Sequence, residues 1–428
     1  MSFINNRSGL FAASLVCKTW SPIALSHLWR ALYSVVPLCK LLGPMTSIHD
    51  WYLGYTDTIS EANWTRFEFY SQKIRKICGG RIQATIEAGS MIQLLNSRPP
   101  SIRYILPRVT EIEWMETNEI GWLPQLVPLL SPTLKSFTLH SSSDRISGDI
   151  DTIVILRHLA FLPGLKLEKL EADWIKSTED IDTALCDILD RQRESLMIFS
   201  HKSFDLSERF SASISRLRSL LILELDFSDS RHPTDRDFNN FSDALASRCS
   251  ELRVVQFRTV YGAPERTFYA FQPLTRIKEM KFIQIHCSGL VLELQDLQEM
   301  GASWRSLAVL GFSYCEIPLP WLSAIARHFS STLEVIDVNL LMSEDIDHDH
   351  TTLTPFSSVK RVRSLADVPP ESIHSVGSFF QRLVAPGTIV ECSYGTARRL
   401  TEAVGSLVRW RGKWKDDEDM SSPGSPVS

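Results

Sequence analysis

An apolar residue followed at +3 and +5 by two more recurs down this chain at intervals of about 24 to 33 residues. Clear copies are Leu220-Leu223-Leu225, Leu252-Val255-Phe257, Leu307-Leu310-Phe312 and Leu333-Ile336-Val338, and fainter ones begin at Val109, Leu134, Leu167, Leu196, Ile277 and Val359. The two later residues of each copy are two apart, which is the side-chain period of a strand, so both face the same way. Helical stripes lie between several copies: Ile181, Leu185, Ile188 and Leu189; Phe238, Phe241 and Leu245; Leu322, Ile325 and Phe329. Strand, helix and strand again at one period is what stacked units need, because each buries its apolar face only against its neighbours. An ordinary alternating α/β sheet explains any one copy equally well. The similar spacing of them all favours a solenoid.

The pattern resembles the strand half of a leucine-rich repeat, in an irregular form lacking the usual Asn or Cys of the turn. The expected fold class is therefore α/β, an irregular leucine-rich-repeat solenoid with a curved sheet of short parallel strands and helices outside. The residues flanking the inward pairs would line its concave face. Ile198, Ile222 and Val254 stand at +2, while Glu171, Asp173, Glu224, Asp226, Gln256, Arg258 and Lys281 stand at +4 and +6. This strip, apolar at its middle and acidic toward one end, is expected to bind a target protein; the alternative is that its Ile and Val side chains serve strand packing alone.

Residues 15–32, LVCKTWSPIALSHLWRAL, carry a second signal. Their apolar positions repeat at helical spacing around Ser21-Pro22, which predicts two short helices, with Pro22 in the first turn of the second and Ser21 as its cap. Such a hairpin either packs on its own chain or presents its two Trp side chains to another protein. LVCKTW followed by LWRAL resembles the C-terminal half of an F-box, the helical module that docks a substrate receptor onto the Skp-type adaptor of a cullin ubiquitin ligase. Residues 1–14 lack the Leu-Pro-containing opening of that module. The resemblance assigns adaptor contacts to Leu15, Val16, Cys17, Trp20, Leu28 and Trp29. A following LLGP segment and an aromatic WTRFEFY stretch before irregular repeats make the chain similar to the large F-box families of mushroom-forming fungi. A protein of this kind is a non-catalytic receptor whose partners are the adaptor, a cullin and a target; the alternative is an interaction scaffold independent of any ligase.

The expected organisation is an F-box-like region over 1–40, a helical cap over 41–108, the solenoid over 109–408 and a basic-aromatic end with a disordered tail over 409–428. Within the cap, residues 57–59 are expected to start one helix, and Trp64, Phe67, Tyr70, Ile74 and Ile77 mark another. With 44% apolar and 22% charged residues the chain has ample core, and its longest apolar stretch, 23–45, is interrupted by His27, Arg30, Pro37 and Lys40, so no membrane span is expected. The start lacks the pattern of a secretory signal, which points to the cytosol or nucleus. A formal charge of −5 disfavours general nucleic-acid binding. The RWRGKWK segment at 409–415 fits either a single-strand contact or, more simply, an amphipathic last turn of the fold.

Eight scattered cysteines form no close pair, so buried thiols are expected instead of zinc sites or disulfides. Asp345-Ile-Asp347-His-Asp349-His350 opens like a calcium loop but has His350 where Gly is required and Phe356 in place of the bidentate Glu. No phosphate loop, nucleophile elbow or HExxH occurs. No cofactor, metal or catalysis is expected, although a site built from residues distant in sequence would leave no local motif.

Overall fold

The computed structural model describes residues 7–49, 52–79, 85–116, 123–141, 149–173, 178–202, 206–227, 233–259, 265–287, 289–329, 331–341, 354–364, 368, 372–393 and 409–413. The chain divides into two compact units, Met1–Ser203 and Phe204–Ser428.

The first unit opens with helices α1 (Arg7–Val16) and α2 (Trp20–Leu28). Its strands are β1 (Ala31–Leu32), β2 (Met45–His49), β3 (Tyr52–Tyr55), β4 (Lys76–Gly79), β5 (Thr85–Ile86), β6 (Glu111–Glu116), β7 (Ser136–Ser141), β8 (Lys169–Asp173) and β9 (Ile198–Lys202). β1, β4, β6, β7, β8 and β9 pair in that order, all parallel, while β2, β3 and β5 form a small separate sheet. The segment expected to be helical over 41–108 holds α4 (Glu61–Ser71) and α5 (Ala88–Ser97), after α3 (Val36–Cys39), but also β2 to β5. α4 starts at Glu61, directly after Ser60, so no helix begins at 57–59, and it ends before Ile74 and Ile77. Those two residues, fully buried, belong instead to a repeat copy, Ile74-Ile77-Gly79, whose strand joins the main sheet. Its third inward place is a glycine because the indole of Trp114 on β6 occupies the space a Cβ would need.

The second unit contains β10 (Ile222–Asp226), β11 (Val254–Arg258), β12 (Arg266–Thr267), β13 (Phe282–His286), β14 (Leu290–Val291), β15 (Val309–Pro318), β16 (Val335–Leu341), β17 (Arg361–Arg363), β18 (Ile389–Ser393) and β19 (Arg409–Lys413). β10, β11, β13, β15, β16, β17, β18 and β19 pair in order, again all parallel. Residues 409–413 are thus a strand of this sheet, where an amphipathic last turn beyond the solenoid was expected. A parallel neighbour requires a crossover, and the helical stripes supply it. In the first unit Ile181, Leu185, Ile188 and Leu189 lie buried on one helix, Glu179–Arg191, where Thr178 accepts from Ile181 N–H and three acids occupy the first turn. In the second, Phe238, Phe241 and Leu245 are the buried stripe of the helix Asp235–Arg248, opened by a capping box between Thr234 and Asp237. Leu322, Ile325 and Phe329 do the same on Trp321–Phe329.

The inward pairs are as the repeat predicts: Leu223 with Leu225, Val255 with Phe257, Leu310 with Phe312 and Ile336 with Val338 are all within 2% of complete burial. The strands expected from Val109, Leu134, Leu167, Leu196 and Val359 follow at β6, β7, β8, β9 and β17. The copy placed at Ile277 is displaced by three residues. Ile277 closes a 3-10 turn, and the strand copy is Met280-Ile283-Ile285, all fully buried. Parallel strands in consistent register with buried helices between them make this an irregular α/β leucine-rich-repeat fold. Six of the eight cysteines are buried; Cys17 is exposed and Cys78 half-buried. The 345–350 acidic run and the Ser/Pro tail lie outside the described residues.

Candidate protein-interaction surfaces

The α1–α2 hairpin inverts the usual burial. Its buried residues are small, Ser14 in α1 and Ala24 in α2, and Ser14 turns its hydroxyl back to the Phe11 carbonyl at 2.6 Å. Its large apolar side chains face out: Phe11 is 57% exposed, Leu15 and Val16 72%, Trp20 55% and Ile23 62%. Phe11 with Leu15, and Trp20 with Ile23, are each one helical turn apart and share a face. The second helix begins at Trp20 with Thr19 before it, so Ser21 lies inside the first turn and does not cap it; Pro22 follows where no N–H is needed. Of the six residues assigned to adaptor contact, Leu15, Val16, Cys17 and Trp20 are exposed around the interhelix turn, whereas Leu28 and Trp29 are half-buried. Trp29 stacks on Tyr70, ring centres 4.5 Å apart. Phe11 and Ile23 were missed by the motif, because exposure of an apolar helix residue is decided by what packs beside it.

The outward face of the first unit's sheet is a ladder of internal ion pairs. Glu171 takes Lys169 at 2.9 Å and the Thr138 hydroxyl at 2.9 Å. Asp173 takes His140 at 3.0 Å and Lys202 at 3.0 Å. Burial alone would raise the Asp173 carboxyl, but hydrogen bonds from His140 and Lys202 outweigh it and hold the group below its ordinary range. Glu171 is therefore charge-compensated within its own strand, by Lys169, and Asp173 across strands. Ile198, half-buried, sits beside Lys169 in register.

In the second unit, Ile222 and Val254 are neighbours in a longer row: the register continues through Phe282, Val309 and Val335, all half-buried. At about 4.8 Å per strand, this is an apolar band roughly 19 Å long. Only its first two members were expected: the displaced copy at Ile277 hid Phe282, while Val309 and Val335, at +2 of clear copies, were left out of the expected strip. Glu224, Gln256 and Gln284 form the next row, followed by Gly311, Asp337, Arg363 and Glu391. Asp226, Arg258 and His286 form the row beyond, with Arg258 and Asp226 3.8 Å apart. Burial, with the nearby Arg258 and Arg363 charges, lowers His286 to about 4, so its ring is neutral near pH 7. Lys281 is absent from these rows; it lies exposed, immediately before β13 and level with Arg253.

Among the described residues, no group of three His, Cys, Asp or Glu side chains is placed to hold a metal ion, and no helix is long and apolar enough to cross a membrane.

No protein-family model matches the sequence, and no curated protein matches it. Among solved structures, an internalin (inlF) of Listeria monocytogenes is similar at 10% identity over 95% of each chain, with a TM-score of 0.38. The TLR13–ssRNA13 complex is similar at 17% identity over 72% of this chain and 43% of that one, with a TM-score of 0.39. On its own repeat, register and burial, the chain has an irregular leucine-rich-repeat fold of the α/β class.

Proposed function

We propose that this protein is an F-box-like substrate receptor, in which the α1–α2 hairpin seats a Skp-type adaptor and its cullin while the outward sheet faces hold a target protein. The observation that carries the reading is the outward Leu15, Val16 and Trp20 of the LVCKTW motif, joined by Phe11 and Ile23. Covering side chains of this size stabilises a complex by about 1.5–3 kcal/mol each at full burial, an upper bound for groups already partly covered. The receptor supplies proximity and no nucleophile: it raises the effective concentration of a target's lysines near a separate conjugating enzyme. Its place of action would be the cytosol or nucleus.

The test is co-purification of the chain with a Skp adaptor and cullin, beside a Leu15→Glu/Trp20→Ala variant. Both residues are exposed, so the variant should melt as the native chain does. Adaptor retained by the native chain and lost by the variant is the expected result. A well-folded native chain that retains no adaptor would overturn the receptor reading. The coarser one, an interaction scaffold, would then stand on the apolar band from Ile222 to Val335, which is the part of the sheet face suited to covering by a protein partner.

A further inference from the structure

Three segments of the first unit meet around a cavity of about 600 Å³: the end of α2 with His27 and Arg30, the end of α4 with Lys73 and Arg75, and the turn before β6 with Arg108 and Thr110. Backbone pairing sets their level. The N–H groups of Arg75 and Lys76 both donate to the Arg30 carbonyl, and those of Thr110 and Glu111 both donate to the Arg75 carbonyl. Arg30, Arg75 and Thr110 therefore stand in one row, spaced about 4.8 Å from strand to strand. Among the described residues, no carboxylate lines the cavity.

That absence is local. On the same unit, Lys76, Lys135, Lys169 and Lys202 each meet a carboxylate within 3.0 Å, in a chain whose net charge is −5. Arg30 and Arg108 make no ion pair among the described residues. Arg75 spends part of its guanidinium on the Gln72 and Ile74 carbonyls, at 2.7 and 3.0 Å, which accounts for its direction but neutralises none of the charge. Burial and the neighbouring Arg108 and Arg30 charges lower its pKa, as expected where cations are held together without an anion.

We propose that this pocket binds a small soluble anion carrying two phosphate groups. Its volume is within the roughly 300–1,000 Å³ of small-molecule sites. Two phosphate groups, each about −1.5 to −2, match the four basic side chains Arg30, Lys73, Arg75 and Arg108. Planar guanidinium groups suit bidentate contacts to such oxygens. The site owes nothing to the hairpin's apolar face, so it stands or falls independently of adaptor binding.

Inorganic pyrophosphate is the probe, titrated calorimetrically into the full chain at low salt, beside inorganic phosphate. The variants are Arg30→Gln/Arg108→Gln and Arg30→Lys/Arg108→Lys, both at exposed positions and checked by melting, with Lys135→Gln as a control elsewhere on the unit. The expected result is saturable pyrophosphate binding, at least roughly tenfold tighter than phosphate, weakened roughly tenfold or more by the Gln pair and largely retained by the Lys pair and the control. No saturable binding, equal affinity for phosphate, or a Gln pair that binds like the native chain would each overturn the proposal.

Discussion

Gln284 donates from Nε2 to Oδ2 of Asp337 at 3.2 Å, although the two residues stand on β13 and β16 with β15 between them. The reach is open because the β15 residue in that row is Gly311, where a Cβ would lie 2.8 Å from Cγ of Gln284. Asp337 is 8% exposed and also accepts from Arg363, which in turn donates to the buried Glu391 at 3.0 Å. The two carboxylates thus share the Arg363 guanidinium, with the Gln284 amide also on Asp337 and the Arg361 guanidinium 3.7 Å from Glu391.

Gly311→Ala should displace the Gln284 side chain and cost about 1 kcal/mol, the worth of one hydrogen bond to a charged group less what relaxation recovers. Arg363→Ala removes the cation shared by two buried carboxylates, leaving Glu391 only its longer contact to Arg361, and should cost about 3 kcal/mol. Lys360→Ala breaks an ion pair with Glu334 in which both side chains are largely exposed, and should cost less than about 0.5 kcal/mol. Urea unfolding of the three variants checks the order; similar losses for Arg363→Ala and Lys360→Ala would contradict it.

His201 occupies the inward +5 place that Leu225, Phe257 and Ile285 take in other copies. Complete burial lowers it to about 4, against a smaller raising influence from the Ala172 carbonyl, to which its Nδ1 is hydrogen-bonded at 2.7 Å, and from Asp173. The unfolded chain takes up the proton first, so this contribution to stability is complete above the ordinary histidine value of about 6.5 and declines as pH falls toward 4, by about 3 kcal/mol. Melting temperatures of native and His201→Leu chains at pH 7.5 and 4.5 should show a smaller acid loss in the variant. His286 shifts in the same direction and leaves part of the slope in place. An unchanged slope in His201→Leu would mean the ring is not what titrates.

The two tryptophans of the N-terminal motif should separate. Trp29, half-buried and stacked on Tyr70, belongs to the fold, and Trp29→Ala should lower stability by about 2–3 kcal/mol. Trp20, 55% exposed, should cost less than about 1 kcal/mol when truncated. Denaturant midpoints measured side by side decide this, and equal losses would show that Trp20 is covered in solution.

Legibility followed how local each signal is. The +3/+5 pairs and the stripes at 181–189, 238–245 and 322–329 were readable because strand and helix periods are written in consecutive residues, and their burial follows from that period. The copy at Ile74-Ile77-Gly79 was hidden because its third member is a glycine, whose missing side chain makes sense only beside Trp114, 35 residues later. The strip from Ile222 to Val335 was half legible: Val254 was placed correctly, but one apolar residue three places early drew the next copy to Ile277 and put Lys281 where Gln284 belongs.

The sequence by itself determined the class of fold, the spacing of its strands and the identity of most core side chains, since a repeated pattern fixes which residues of each unit turn inward. Only the tertiary structure decided which charges neutralise one another, which apolar helix residues stay outside, and that Arg30, Arg75 and Arg108 share one cavity. The reason is physical: in a parallel sheet each residue's lateral neighbours lie a whole crossover away in the chain, so the contacts that set charge and exposure join residues that no short window contains.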